Sequence, residues 1–350
     1  MSINATLNYL YGAPSGQAKL RCQPEDFIVD EQLNFSPSGS GEHLLLHIEK
    51  RGQNTQFVAK QLAALTGLRV RDISYAGLKD RHALTRQWFC FKWPIKQDLA
   101  WQDWQDWQLE GCSILSVQRH FRKLRLGALK ANHFQIRLRD VTDSAELLTR
   151  AKLLVQGVPN YYGEQRFGID AGNLQLAQQL FAGGTIADRK LRGLALSAAR
   201  SFVFNQQVAA RIAQGYFATV LDGDVLQLDG SGSVFRVAQA DQQLQQRLES
   251  ADVHPTAVLP GVGEPMVTGS AARFEQQVLA QHAALVQGLV DYRLRAERRS
   301  VRLMPQHLTL QLQQQDAIVN FALPAGCFAT SVLRELVNYR DASKDGTVLE

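Results

Sequence analysis

The sequence predicts an α+β protein in which one strand-rich, discontinuous domain is interrupted by a largely helical insert. Three observations carry this expectation. Strand patterns open the chain and return near its end, helical periodicity fills the middle, and 350 residues divide most naturally into two domains. Hydrophobic residues make up 45% of the chain and charged residues 20%, the balance of a globular protein with ample core. No apolar run approaches the roughly 20 residues a bilayer-spanning helix needs. The start, MSINATLNYLYGAPSG, lacks a basic flank ahead of an apolar stretch, so a cytoplasmic protein with no membrane association is expected.

Taken in order, EDFIVDEQL and EHLLLHIEK read as strands, and TRQWFCFKW, closed by Pro94, as a third. Between the second and third, FVAKQLAALTG reads as a helix capped by Asn54 or Thr55 and ended by Gly67. In NHFQIRLRDV, Phe134, Ile136 and Leu138 alternate with Gln135, Arg137 and Arg139, which buries one face and leaves cations on the other. From about residue 145 the spacing turns helical through SAELLTRAKLLVQG, NLQLAQQLFAGG, LALSAARSFVFNQQVAARIAQG and FEQQVLAQHAALVQGLVDYRLRAERR. HLTLQLQQQ and DAIVNFALPAG are extended again, followed by a short helix in ATSVLRELVNY. These transitions place a first domain over residues 1–154 and 304–350, with an insert at 155–303.

A net charge of +5 permits a polyanionic partner without requiring one. Its distribution is more informative. Arg119, Arg122, Lys123, Arg125, Lys130, Arg137 and Arg139 crowd a stretch with no acid until Asp140, and Arg293, Arg295, Arg298, Arg299 and Arg302 form a second cluster. A solvated face and a phosphate-binding surface both fit such runs. Cys22, Cys90, Cys112 and Cys327 form no C-x-x-C pair, so packing rather than zinc or disulfide chemistry is expected of them.

The segment SYAGLKDRHALTRQWF carries the sharpest chemical signal. Gly77 permits a tight turn, after which Lys79, Asp80, Arg81 and His82 set one carboxylate among two cations and a titratable ring. A surface turn with weak ion pairs is the plain reading of Lys-Asp-Arg; the apolar and aromatic flanks favour a cleft. This segment resembles the signature of the TruD pseudouridine synthases. NTQFVAKQLA, RKLRLGALKANHF, GVPNYYGEQRFG, LSAARSFVFNQ and LPAGCFATSVLRE resemble further blocks of that family in the same order. Several blocks in register are more specific than any one short motif.

The resemblance implies a mainly antiparallel, mixed-sheet pseudouridine synthase catalytic domain holding an inserted α/β TRUD domain. It implies conversion of uridine to pseudouridine, typically at tRNA position 13, with tRNA as partner, no cofactor and no metal, by a protein expected to be a monomer. Asp80 becomes the nucleophile, drawn as attacking ribose C1′ or base C6, or else as a base on the ribose. A buried carboxylate needs a cation. The resemblance points to Arg21 for that role, while Lys79 adjoins Asp80 but on extended backbone would point the other way.

Phe27 resembles the family's base-stacking phenylalanine, with an ordinary core side chain as the competing reading. Asn132 matches its substrate-contacting asparagine, or else caps a strand start; Ala131 stands where glycine is expected. Phe134 and Phe328 resemble pocket-lining positions and could equally be core. Asn160, Gln165, Arg166 and Phe167, beside Gly163 and Gly168, suit close approach of an RNA backbone or a structural hinge. Arg119, Arg122, Lys123, Arg125, Lys130 and Arg166 are the expected RNA contacts, with the second cluster assisting. A non-catalytic tRNA-binding protein or RNA chaperone is the alternative, distinguished by binding without product. An unrelated aspartate-nucleophile enzyme is weaker, since no phosphate-cradling G-x-x-x-x-G-K-[ST] and no His/Cys metal spacing is present.

Overall fold

The computed structural model describes residues 7–95, 104 and 107–344. The outermost residues of the expected first domain, 1–6 and 345–350, thus lie outside the described residues. Contact density divides the chain into two units. The sheet unit comprises Ser15–Ala151, Pro305–Gly326 and the chain from Val337 on. The helical unit comprises the chain up to Pro14, Lys152–Met304 and Cys327–Leu336.

The sheet unit is built from β2 (Phe27–Leu33), β3 (His43–Arg51), β4 (Ser74–Tyr75), β5 (Leu84–Lys92), β6 (Cys112–His120), β7 (Leu129–Leu138), β14 (Gln306–Gln313) and β15 (Asp316–Pro324). They form one sheet of order β14-β15-β7-β2-β5-β3-β6, with β4 on β5. Every pair is antiparallel except β2 with β5, where Val29 stands opposite Thr85. A separate parallel pair joins β1 (Gln17–Leu20) to β16 (Asn338–Asp341).

Period two in these strands sorts side chains between two faces. Leu44, Leu46 and Ile48 of β3 and Phe89 and Phe91 of β5 meet Val58, Ala59, Leu62 and Ala63 of α1 (Thr55–Thr66). Leu45 and Cys90 point to the other face, where they pack with Ala76 and Leu124. Each fully buried Leu or Phe contributes about 1.5–3 kcal/mol, so this two-sided sheet is the main source of the unit's stability. Asn54 settles the capping question: its side chain accepts the Phe57 N–H at 2.8 Å, and Gly67 closes α1 in the left-handed region at φ 69°.

In the helical unit, α4 (Arg189–Ala213) is central. Asp188 caps it by accepting from Lys190 N at 2.7 Å. Its buried Ala195 and Ala199 leave space for α3 (Gly172–Phe181) and α7 (Ala283–Asp291) to approach. α2 (Ser144–Leu154) precedes this unit and contains the boundary pair Ala151 and Lys152. A sheet of order β10-β9-β11-β12, from Val234–Arg236, Val225–Leu228, Val253–Leu259 and Glu297–Ser300, completes the α/β character. Smaller elements are β8 (Val158–Pro159), β13 (Arg302–Leu303), α5 (Gln242–Glu249), α6 (Gly269–Ala280) and α8 (Ala329–Leu336).

One expected helix divides. The run from Phe274 to Arg299 becomes α6, a break at His282 (φ −124°, ψ 28°), α7, and then strand β12. Arg293 at φ 55° ends the helical path, and the guanidinium of Arg298 is drawn inside to Glu275 at 2.8 Å and to Thr256. A buried ion pair and a sheet register outweigh the helical propensity of this stretch.

Candidate active site

Three strands of the sheet unit end their buried faces in polar residues. On β3 the inward series Leu44, Leu46, Ile48 is followed by Lys50; on β2 Phe27 and Val29 are followed by Glu31; on β5 Phe91 and Phe89 lead back to Gln87 and Thr85. Buried polar groups require partners. For Lys50, Glu31 and Gln87 such partners lie on the loop between β4 and β5, which carries Asp80.

That loop is gripped at three successive points. Gln87 donates to Gly77 O, Thr55 Oγ1 accepts Lys79 N at 3.0 Å, and Lys50 Nζ donates to Asp80 O at 2.8 Å and to Gln53 O at 2.7 Å. Lys50 is fully buried, and burial pushes its ammonium down from the ordinary 10.5 to about 8 against the opposing charge of Asp80. Gly77 has no left-handed φ, and a Cβ there would meet nothing closer than Lys79 Nζ at 3.8 Å. The turn is therefore shaped by hydrogen bonds rather than by glycine.

Asp80 is 19% exposed at its side chain, so it is partly sheltered yet reachable. Arg21 Nη2 lies 2.9 Å from its Oδ2, and Arg21 Nη1 lies 2.6 Å from Asp341 Oδ2. One guanidinium thus joins two carboxylates, with its carbon 4.2 Å from the centroid of Phe27. Arg21 holds φ at 56°, a conformation that costs a non-glycine residue about 1–2 kcal/mol. Its buried ion pairs offset that strain.

Lys79 turns away from Asp80 and pairs with Glu31, whose side chain has no exposure. Glu31 also accepts Trp88 N at 3.0 Å. Burial pushes the Glu31 carboxyl up, and the charge of Lys79 opposes that shift. Phe27 is 4% exposed and meets the edge of Phe134 at 6.1 Å; Phe134 in turn stacks on Phe321 at 5.3 Å. Asn132 faces Glu31 across the β2–β7 ladder, and its buried Oδ1 accepts no hydrogen bond from the described residues.

Phe328 and Arg166 belong to the helical unit, where the Arg166 guanidinium carbon lies 5.8 Å from the Phe328 ring and 5.3 Å from Tyr162. In the same motif Asn160 and Phe167 are buried in the core, and Asn160 Nδ2 donates to Ser300 O at 2.9 Å. Gly163 is required by the chain itself, since a Cβ there would lie 2.6 Å from Thr330 Oγ1. Asn160 and Phe167 are thus taken up by packing.

Among the expected RNA contacts, Arg122, Lys123, Arg125 and Lys130 are exposed. Arg119 instead donates to Gly41 O at 3.0 Å and Trp93 O at 3.3 Å. Arg137 pairs with Asp316 at 3.2 Å and Arg139 with Asp26 at 2.7 Å. In the second cluster Arg298 is tied to Glu275, Arg299 to Asn160 Oδ1 at 2.6 Å, and Arg302 to Gln156 O at 2.8 Å. The expectation of a second phosphate-binding cluster therefore fails for these three, whose guanidinium donors serve internal acceptors.

Lys50, Glu31, Thr55, Gln87 and Asp341 were not anticipated as part of this arrangement. The signal for the strand residues was available, because each breaks an apolar period at a buried position. Asp341 offered none. No group of three His, Cys, Asp or Glu side chains suited to a metal ion occurs among the described residues.

Comparison with known proteins agrees with this architecture. The family described as tRNA pseudouridine synthase D (TruD) matches over residues 4–184 and 182–336. The tRNA pseudouridine synthase D of Pseudoalteromonas translucida (strain TAC 125) is 45% identical over 338 residues, covering 96% of this chain and 95% of that protein. The protein of the same name from Colwellia psychrerythraea (strain 34H / ATCC BAA-681) is 44% identical over 344 residues, covering 95% and 93%. The crystal structure of a candidate tRNA pseudouridine synthase D from Methanosarcina mazei shares the fold, with a TM-score of 0.71 at 21% identity over 95% of this chain and 97% of that one. The chain belongs to the tRNA pseudouridine synthase D (TruD) family.

Proposed function

We propose that the chain is a tRNA pseudouridine synthase that isomerises uridine 13 in the D-arm region of tRNA, with Asp80 as nucleophile on a flipped-out uridine. The observation that carries this reading is the reachable Asp80 carboxylate, paired with Arg21 at 2.9 Å on a loop anchored by Lys50. The isomerisation breaks the bond from base N1 to ribose C1′ and forms one from C5 to C1′. The hydrogen leaves C5 and N1 gains one, so atoms balance without any cofactor. Attack at C1′, attack at C6 and deprotonation of the ribose all begin from an ionised carboxylate. Arg21 supplies the counter-ion 2.9 Å from the carboxylate, and Lys50 fixes the backbone from which it acts.

Extruding the uridine costs a few kcal/mol and calls for a stacking surface. Phe27, sharing the Arg21 guanidinium with Asp80, is the surface assigned here, with Phe134 behind it and the unpartnered Asn132 Oδ1 available to a uracil N–H. Phe328 and Arg166 enter this reading through the family resemblance, as does the division into a catalytic domain (1–154 and 304–350) and a TRUD insert (155–303). Exposed Arg122, Lys123, Arg125 and Lys130 supply phosphate contacts, and the protein acts as a cytoplasmic monomer.

The test is incubation of purified protein with unmodified tRNA transcript and base-resolved mapping of pseudouridine. Asp80→Asn keeps the side-chain shape but removes the charge, so it should bind tRNA and form no product. Wild-type turnover in that variant would reject the nucleophile, and binding without product by the native chain would establish the non-catalytic alternative.

A further inference from the structure

We infer that the connection between β6 and β7 is a subsite for an unpaired nucleotide of RNA, its base stacked on Phe121 and its flanking phosphates held by Lys123 and Arg125. This deepens the reading above and rests on it. The segment is anchored rather than loose. Leu124 is 1% exposed within the cluster of Leu45, Ala76 and Cys90. Its N–H approaches Cys90 Sγ at 3.4 Å, and Gly127 N donates to Ala76 O at 2.8 Å, four residues before Asp80. Around these anchors the side chains of Phe121, Arg122, Lys123 and Arg125 are exposed.

Phe121 is 57% exposed, so its ring is reachable by a flat partner. It continues an aromatic ladder: Phe35 stacks on His120 at 4.5 Å and 13°, and His120 meets Phe121 at 4.5 Å. The Arg122 guanidinium carbon lies 5.1 Å from the Phe121 centroid. These residues, with His43 and Arg125, line a groove of about 620 Å³. Burial pushes the imidazoles of His43 and His120 down, which favours uncharged rings in the groove.

Charge selects the occupant. Among the described residues no carboxylate lies within 4.0 Å of Arg122, Lys123 or Arg125. Asp72, whose field reaches Lys123, is already paired with Arg69 at 2.8 Å. Three cations around one exposed ring match a ligand that brings an anion and a flat base in every unit. A protein surface would need acids spaced to suit.

The experiment is fluorescence-anisotropy titration of intact protein with labelled, unmodified tRNA transcript, and with heparin as a polyanion lacking bases. Phe121→Ala should weaken tRNA binding about tenfold while heparin binding holds, since stacking on one aromatic ring is lost. Phe121→Trp should retain tRNA affinity. Lys123→Gln with Arg125→Gln should weaken both ligands and flatten the salt dependence. If the native chain binds and modifies tRNA while Phe121→Ala matches its affinity, or if Phe121→Ala weakens heparin equally, the subsite is overturned and the function stands. If the native chain neither binds nor modifies tRNA, both fall together.

Discussion

Lys50→Met probes how the Asp80 loop is held, and its consequences follow from burial alone. The Lys50 ammonium has no exposure, and burial lowers it from 10.5 to about 8. At about 1.4 kcal/mol for each tenfold change in proton affinity, keeping that charge inside costs the fold about 3 kcal/mol at neutral pH. The sign is set by which state binds the proton. Between pH 8 and 10.5 the unfolded chain retains a proton that the folded chain has released, so this group's contribution makes stability rise with pH.

Burial raises Cys112 to about 11 and Tyr11 to about 12, and these groups oppose the rise at the alkaline end. The difference between native protein and variant isolates Lys50. Methionine keeps the stem and removes the charge but leaves the carbonyls of Asp80 and Gln53 without their donor, about 1–3 kcal/mol each. The two effects nearly cancel in stability at neutral pH, whereas turnover should fall at least tenfold as Asp80 loses its anchor. Urea unfolding followed by tryptophan emission suits the measurement, because the described tryptophans Trp88, Trp93, Trp104 and Trp107 belong to the sheet unit. Between about pH 7.5 and 10 the native protein should gain about 2 kcal/mol relative to Lys50→Met. An identical pH response in the two proteins would refute a charged, buried Lys50.

Arg21→Met leaves Asp80 and Asp341 facing each other without their shared cation; it should cost about 3–5 kcal/mol of stability by denaturant titration and lower turnover at least a hundredfold. Glu31→Gln strands the Lys79 cation in the interior and should destabilise by about 3 kcal/mol, while Glu31→Leu combined with Lys79→Met should recover most of that loss in a double-mutant cycle. Binding of tRNA through roughly six phosphates should give a log K against log salt slope near −4 in a filter-binding titration. Arg298→Gln, which removes the partner of Glu275, should lower thermal stability and leave that slope unchanged.

Much of the scaffold could be read from residues. The alternation in NHFQIRLRDV buries Phe134, Ile136 and Leu138, and the cap and stop around FVAKQLAALTG sit at Asn54 and Gly67. Such features are local, depending on side chains a few positions apart. The split of the run from Phe274 to Arg299 was not readable, because the break depends on Glu275 drawing Arg298 inward from a distant point in the chain. The basic clusters failed in part for the same reason: a run of arginines reports charge, not whether each guanidinium faces solvent or an internal carbonyl.

The same contrast holds at Asp80. Sequence by itself singled out the Gly-Leu-Lys-Asp turn, named Arg21 and Lys79 as the cations to weigh, and placed the chain in its family through blocks in register. Only the tertiary structure decided that Arg21 spans Asp80 and Asp341, that Lys79 serves Glu31, and that Lys50 holds the loop from within. The physical reason is that desolvation, not proximity along the chain, determines which charges must pair. That cost exists only once strands from residues 17 to 341 have come together and excluded water.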